Sequence, residues 1–100
     1  MLHKFHRTDT NDSEIVNILL KLGAEVVDLS QCGRGIPDKL VWFKNRYHLI
    51  EIKYRGPLGW KYTPAQQKFR KRYAMPIVTL DNVEDTIKWA KNVTRGTEDK

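Results

Sequence analysis

The sequence predicts one α/β domain, a mixed β-sheet flanked by helices in the order α-β-β-β-α-β-α. Three observations carry this. "KLVWFK" and "YHLIEIKY" are apolar stretches joined by a tight "NR" connection, which is the pattern of a hairpin. Ile15, Ile18, Leu19 and Leu22 recur at helical spacing near the start, and "DNVEDTIKWAKNV" repeats such a pattern near the end. Between the hairpin and the last helix, "TPAQQKFRKRY" opens with a capping sequence. One hundred residues suit a single core and not two.

In chain order, the first helix is expected to begin near Asn11 or Asp12 and to end at Gly23, a C′ residue. "AEVVDL" reads as a short strand and "SQCGRGIP" as a glycine-rich turn. The hairpin follows, Lys39 to Lys44 and Tyr47 to Tyr54, and then a loop, "RGPLGW". The middle helix has Thr63 as N-cap, Pro64 at its first position and Gln66 at N3. "MPIVTL" is a strand. The last helix has Asp81 as cap and Glu84 at N3, with Val83, Ile87 and Ala90 facing inward. Residues 1–8 and about 95–100 are expected to be loose ends of the single domain.

The net charge is +6, which favours an anionic partner. Nucleic acid comes first, an acidic membrane surface second, and plain solubility is the bland alternative. The positive charge is concentrated. From Tyr54 to Leu80 there is no Asp or Glu, while Arg55, Lys61, Lys68, Arg70, Lys71 and Arg72 alternate with aromatic residues. Such a stretch suits phosphate contacts and base stacking, or else it is a solvated helix face. Cys32 is the only cysteine, so an internal disulfide and a multi-cysteine zinc site are excluded. No apolar run reaches membrane-spanning length and no signal-peptide core opens the chain. An intracellular soluble protein is expected, with no membrane partner.

The hairpin carries residues that a core does not need. Glu51 and Lys53 lie two apart on a strand and share a face, with Ile50 and Ile52 directed to the other. A carboxylate and an ammonium there are costly unless paired or used. Asp38 opens the preceding strand, and the hairpin folds it back beside Glu51. Two carboxylates that converge repel unless a cation lies between them, and hard oxygen ligands suit Mg²⁺ or Mn²⁺. Each residue also has a structural reading: a strand-edge salt bridge for Glu51 and Lys53, a turn cap for Asp38. Glu14 lies at the edge of the first helical stripe, from which it is expected to lean toward Asp38 and Glu51; alternatively it closes a capping box with Asn11. Gln66 is either a capping partner of Thr63 or a fourth member of the site.

With these residues in order, "RTDTNDSEIV", "GRGIPD", "LIEIK" and "YTPAQQKF" resemble the PD-(D/E)XK nucleases, and within them the VRR-NUC-type and related phage-encoded enzymes. The likeness runs from about Arg7 to Thr86. It implies a restriction-endonuclease-like core and divalent-metal-dependent hydrolysis of DNA. It implies that Glu14, Asp38, Glu51 and the Ile52 carbonyl hold Mg²⁺ or Mn²⁺, with no small-molecule cofactor. Lys53 would orient the attacking water or stabilise charge on the phosphorane, and Gln66 would support Lys53 or the scissile phosphate. Small stand-alone members of this branch resemble structure-selective enzymes that act as dimers on branched DNA such as four-way junctions, which sets the same expectation here, together with a phage or prophage origin. "YRGPLGWKY" departs from the family pattern, and one hundred residues are near the minimum for such a core, so no added recognition domain is expected. The alternative is a non-catalytic nucleic-acid-binding module on the same fold.

Overall fold

The computed structural model describes residues 7–54 and 56–98. Its elements are α1 (Arg7–Lys21), β1 (Glu25–Asp28), β2 (Lys39–Phe43), β3 (Arg46–Ile52), α2 (Pro64–Arg72), β4 (Ile77–Leu80) and α3 (Val83–Glu98). This is the α-β-β-β-α-β-α order expected of a restriction-endonuclease-like core. The four strands form one mixed sheet in the order β1-β2-β3-β4. β1–β2 and β2–β3 are antiparallel, and β3–β4 is parallel. The parallel pair requires a crossover, and α2 lies on it.

α1 and α3 pack together on one face of the sheet. Ile15 and Leu19 of α1 and Ala90 of α3 meet Val41, Phe43, Ile50, Ile52 and Leu80 in the buried core. Each large side chain buried there contributes roughly 1.5–3 kcal/mol. α2 sits on the opposite side and has no buried residue. It is held by polar ties: Arg70 donates to Thr79 Oγ1 at 3.0 Å, and Tyr62 meets the same hydroxyl at 2.7 Å just before the helix. Trp42 and Tyr47, with ring centroids 4.7 Å apart, remain exposed on the part of the sheet that α2 leaves open.

Several boundaries differ from the sequence expectation: β3 ends at Ile52 rather than Tyr54, which leaves Lys53 one residue beyond the strand, and β4 starts at Ile77 rather than Met75. α1 starts at Arg7, so Asn11 is an interior residue rather than a cap, and Arg7 and Thr8 are helical rather than loose. At the other end α3 runs to Glu98 through most of the segment expected to be loose; residues 1–6, 99 and 100 lie outside the described residues. The hairpin turn is Lys44-Asn45 rather than Asn45-Arg46. Both turn residues have positive φ, 52° and 62°, as a two-residue primed turn demands for the twist of its strands. The cap of α3 is Asn82 and not Asp81, because Asn82 Oδ1 accepts from the Asp85 amide at 2.7 Å. Asp81 is buried instead and accepts from Trp60 Nε1 at 2.8 Å. No described helix is long and apolar enough to cross a membrane.

Candidate active site

The end of the β2–β3 hairpin next to α2 forms a cleft lined by Asp12, Asp28, Ser30, Asp38, Lys39, Glu51, Ile52, Lys53 and Gln66. Five residues proposed from the sequence are therefore in one place: Asp38, Glu51, Ile52, Lys53 and Gln66. Register explains the first two. Lys39 pairs with Ile50 across the antiparallel ladder, so Asp38 and Glu51 face each other one step beyond it. Asp38 Oδ2 accepts from the Ile52 amide at 2.9 Å, which fixes its carboxylate against β3.

Gln66 joins the rest. Its Nε2 donates to Glu51 Oε2 at 2.8 Å, and its Oε1 accepts from Lys53 Nζ at 2.7 Å. The same Oε1 accepts from the Thr63 amide at 2.9 Å, while Thr63 Oγ1 accepts from the Gln66 amide at 3.1 Å. The two readings of Gln66 are thus both realised. Its capping box sets the start of α2, and through that box the amide is aimed at Glu51 and Lys53. The glycine turn completes the arrangement. Gly35 has φ of +77°, and a Cβ there would fall 2.1 Å from the Ala65 carbonyl oxygen. The turn before Asp38 therefore packs directly on the first turn of α2, which only glycine permits.

The electrostatics of the pair are unusual for a strand. Glu51 is only 4% exposed. Burial, then the charge of Asp38 and a hydrogen bond with it, push the Glu51 carboxyl up from 4.5 to about 8; Lys53 and Arg70 act in the opposite direction. Carboxyls raised in this way cluster at functional sites, and this one lies in a cleft. Lys53 Nζ lies 5.7 Å from the centroid of the Tyr62 ring, and the Arg70 guanidinium stacks 4.0 Å from the same centroid.

The third acid of the expectation is not there. Glu14 is exposed on α1 and does not line the cleft. At about 100° per residue, a helix that buries Asn11, Ile15 and Leu19 turns Glu14 away from the sheet and brings Asp12 to it. Asn11 anchors this rotation, donating to the backbone carbonyls of Lys53 and Asp81.

Three cleft residues that the sequence patterns did not single out form an ion cluster. Lys39 Nζ lies 3.1 Å from Asp12 Oδ2 and 3.3 Å from Asp28 Oδ1. Burial opposes the charge on Lys39, but hydrogen bonds and charges from Asp12 and Asp28 outweigh it and raise its pKa above the usual lysine value. Asp28 is held below its usual range by the Ser30 amide and hydroxyl, against the opposing effect of burial and with help from Lys39. The signal was the pairing of Asp28 with Lys39 across β1–β2, a register that the glycine-rich turn conceals.

The resemblance implies a divalent ion, and the donor set bears on whether one fits. Among the described residues no group of three or more His, Cys, Asp and Glu forms a metal site. Asp38 and Glu51 make a pair. A pair suits Mg²⁺, which binds through one or two carboxylates, retains waters and takes the rest of its shell from substrate phosphate. Two carboxyls forced together in a cleft, one of them buried and raised to about 8, fit such an ion.

Of the basic residues, Lys61, Lys68, Lys71 and Arg72 are exposed. Lys68 and Lys71 lie on one outward hollow of α2 with Pro64, Ala65 and Gln67. Arg70 is half-buried and engaged with Tyr62 and Thr79, so part of its role is to hold α2. Arg55 lies outside the described residues. No protein-family model, no curated protein and no solved structure matches this chain.

Proposed function

We propose that this protein is a divalent-metal-dependent DNA endonuclease, hydrolysing phosphodiester bonds in branched DNA such as four-way junctions and acting inside the cell as a homodimer. The observation that carries the reading is the unbroken series Lys53–Gln66–Glu51 beside Asp38, at the mouth of a cleft next to a basic helix. Asp38 and Glu51, with the Ile52 carbonyl as a further donor, would hold Mg²⁺ or Mn²⁺. Such an ion would lower the pKa of a water and offset charge at the phosphate.

The protein's own groups do the rest. Asp38 is fixed by the Ile52 amide and shares a hydrogen bond with Glu51, so an ion taking the place of that shared proton would meet both carboxylates. Gln66 holds one Glu51 oxygen and one Lys53 proton, which keeps both groups at a set separation. Lys53 presents an ammonium that orients the attacking water or stabilises charge developing on the phosphorane. Lys68 and Lys71 would bind flanking phosphates. A two-fold dimer supplies the paired sites that a four-way junction needs, and the exposed Trp42–Tyr47 pair is apolar surface available to a second copy.

The test is cleavage of labelled four-way-junction, flap, duplex and single-stranded DNA with Mg²⁺, Mn²⁺ or EDTA, by the wild type and Lys53→Ala. Paired cuts near the branch, dependent on metal and abolished in the variant, are expected. Intact, salt-sensitive binding with no cutting of any substrate would sink the enzymatic reading and leave a binding module, for which the exposed lysines of α2 are the supporting feature.

A further inference from the structure

Four carboxylates line the cleft, from Asp12, Asp28, Asp38 and Glu51, and two ammoniums face them, from Lys39 and Lys53. With all six charged, two negative charges remain, the amount that one divalent ion offsets. The carboxylates are not equivalent. Asp38 and Glu51 face each other with no ammonium between them; Lys53 is hydrogen-bonded to Gln66 rather than to either carboxylate, and acts on Glu51 by its charge. Asp12 and Asp28 already share a cation. The Lys39 ammonium is within 3.1 Å of one and 3.3 Å of the other, and its side chain is only 7% exposed. Asp28 Oδ1 is further tied by the Ser30 amide at 2.8 Å. A buried lysine between two carboxylates occupies the position in which a metal bridging α1 and β1 would otherwise sit, and a divalent ion cannot enter beside it without strong repulsion.

We infer that Lys39 is a built-in substitute for a second metal ion, so that the cleft takes one divalent cation, at Asp38 and Glu51, and Asp12 and Asp28 are not metal ligands. This rests on the reading of the cleft as a metal-dependent nuclease site. It assigns Lys39 as a positioning residue: the ammonium locks α1 and β1 onto the strand that carries Asp38, a job that needs no metal.

The test is the stoichiometry of Mn²⁺ binding, read as loss of the free-ion electron paramagnetic resonance signal at pH 8, without DNA. The wild type is expected to bind one Mn²⁺ per chain. Asp38→Asn should abolish binding, whereas Asp12→Asn and Asp28→Asn should keep one ion per chain, with affinity lowered by no more than the roughly 10–100-fold of an outer-shell change. Lys39→Met leaves two carboxylates facing each other and, where circular dichroism shows it folded, should take up a second Mn²⁺. Two ions per wild-type chain, or loss of the single ion in Asp12→Asn, would overturn the inference and leave the nuclease reading standing. A folded Lys39→Met that still binds one ion would equally overturn it. No Mn²⁺ bound by the wild type would remove the metal-dependent reading itself, and the inference with it. The wild-type and aspartate measurements decide the matter even where Lys39→Met does not fold.

Discussion

Gln66 donates from Nε2 to Glu51 Oε2 at 2.8 Å, and so a helix cap and a strand carboxylate are parts of one device. The amide that closes the capping box of α2 also spaces Glu51 from Lys53. The start of the helix and the spacing of the site share the Gln66 side chain, while the Thr63 hydroxyl serves the helix alone.

Two substitutions separate these roles. Thr63→Ala removes the N-cap and is expected to cost about 1 kcal/mol of stability, with cleavage largely retained at low temperature. Gln66→Ala is expected to cost a similar amount and also to lower the cleavage rate at least about tenfold. Thermal unfolding and single-turnover cleavage of both variants check this, and equal activity in the two would refute the spacing role.

The raised Glu51 carboxyl predicts how stability varies with pH in the absence of metal. It ionises near 8 in the folded protein against 4.5 ordinarily. Between those values the folded state binds more protons than the unfolded state, so stability falls as pH rises from about 4.5 to 8 and levels off above. Glu51→Gln should flatten this slope and be the more stable protein at pH 8. Because an ion must displace that proton, Mn²⁺ affinity should rise by about tenfold per pH unit through pH 6–7.5. Melting curves in EDTA and Mn²⁺ titrations at several pH values measure both effects; a melting temperature that climbs from pH 5 to 8 would contradict the assignment.

Lys53→Ala should lower cleavage by about 10²–10⁴-fold while the protein remains folded, since its partners at the cleft are polar and the residue is half-buried. Loss of the ammonium also removes a charge that favours ionised Glu51. The downward-sloping stability profile of the metal-free variant should therefore extend to higher pH than in the wild type. A profile unchanged in position would show that Lys53 does not reach the carboxylate pair.

Gly35→Ala tests the packing of the glycine turn on α2. The added methyl meets the Ala65 carbonyl and adopts a positive φ, a combination expected to cost about 1–3 kcal/mol or more. Relief requires α2 to move, which carries Gln66 away from Glu51. Cleavage should fall even at temperatures where circular dichroism shows the variant fully folded, whereas Gly33→Ala, with open space around the site of its methyl, should lose stability alone.

Lys68→Glu combined with Lys71→Glu should weaken binding to every DNA substrate and reduce the salt dependence of affinity, by about 0.9 in the logarithmic slope for each phosphate no longer neutralised. The carboxylate pair is untouched, so Mn²⁺ binding should be normal. Fluorescence anisotropy across a range of salt concentrations checks this, and an unchanged slope would place the DNA on another face.

Much of the molecule follows from local patterns. The alternation in "LIEI" separates Ile50 and Ile52 from Glu51 by the pleat of one strand, Lys53 follows one residue beyond its end, and Thr63-Pro64 with Gln66 places the start of α2 through contacts three residues apart. Asp38 meets Glu51 because a short hairpin leaves few registers open. These are short-range constraints, and the residues that obey them are legible in order along the chain. The rest depends on how separate elements dock. The sequence offers both Asp12 and Glu14 on one turn of α1, and only the burial of Asn11, Ile15 and Leu19 against the sheet decides the helix rotation that admits Asp12 and excludes Glu14. Lys39 looks like a strand-edge lysine until β1 pairs with β2 and α1 lies across them, bringing Asp28 and Asp12 to its ammonium from two other elements. Periodicity and capping act over a turn of helix or a step of strand. The rotation of α1 and the charge balance of the cleft come from contacts between distant segments, which tertiary packing alone sets.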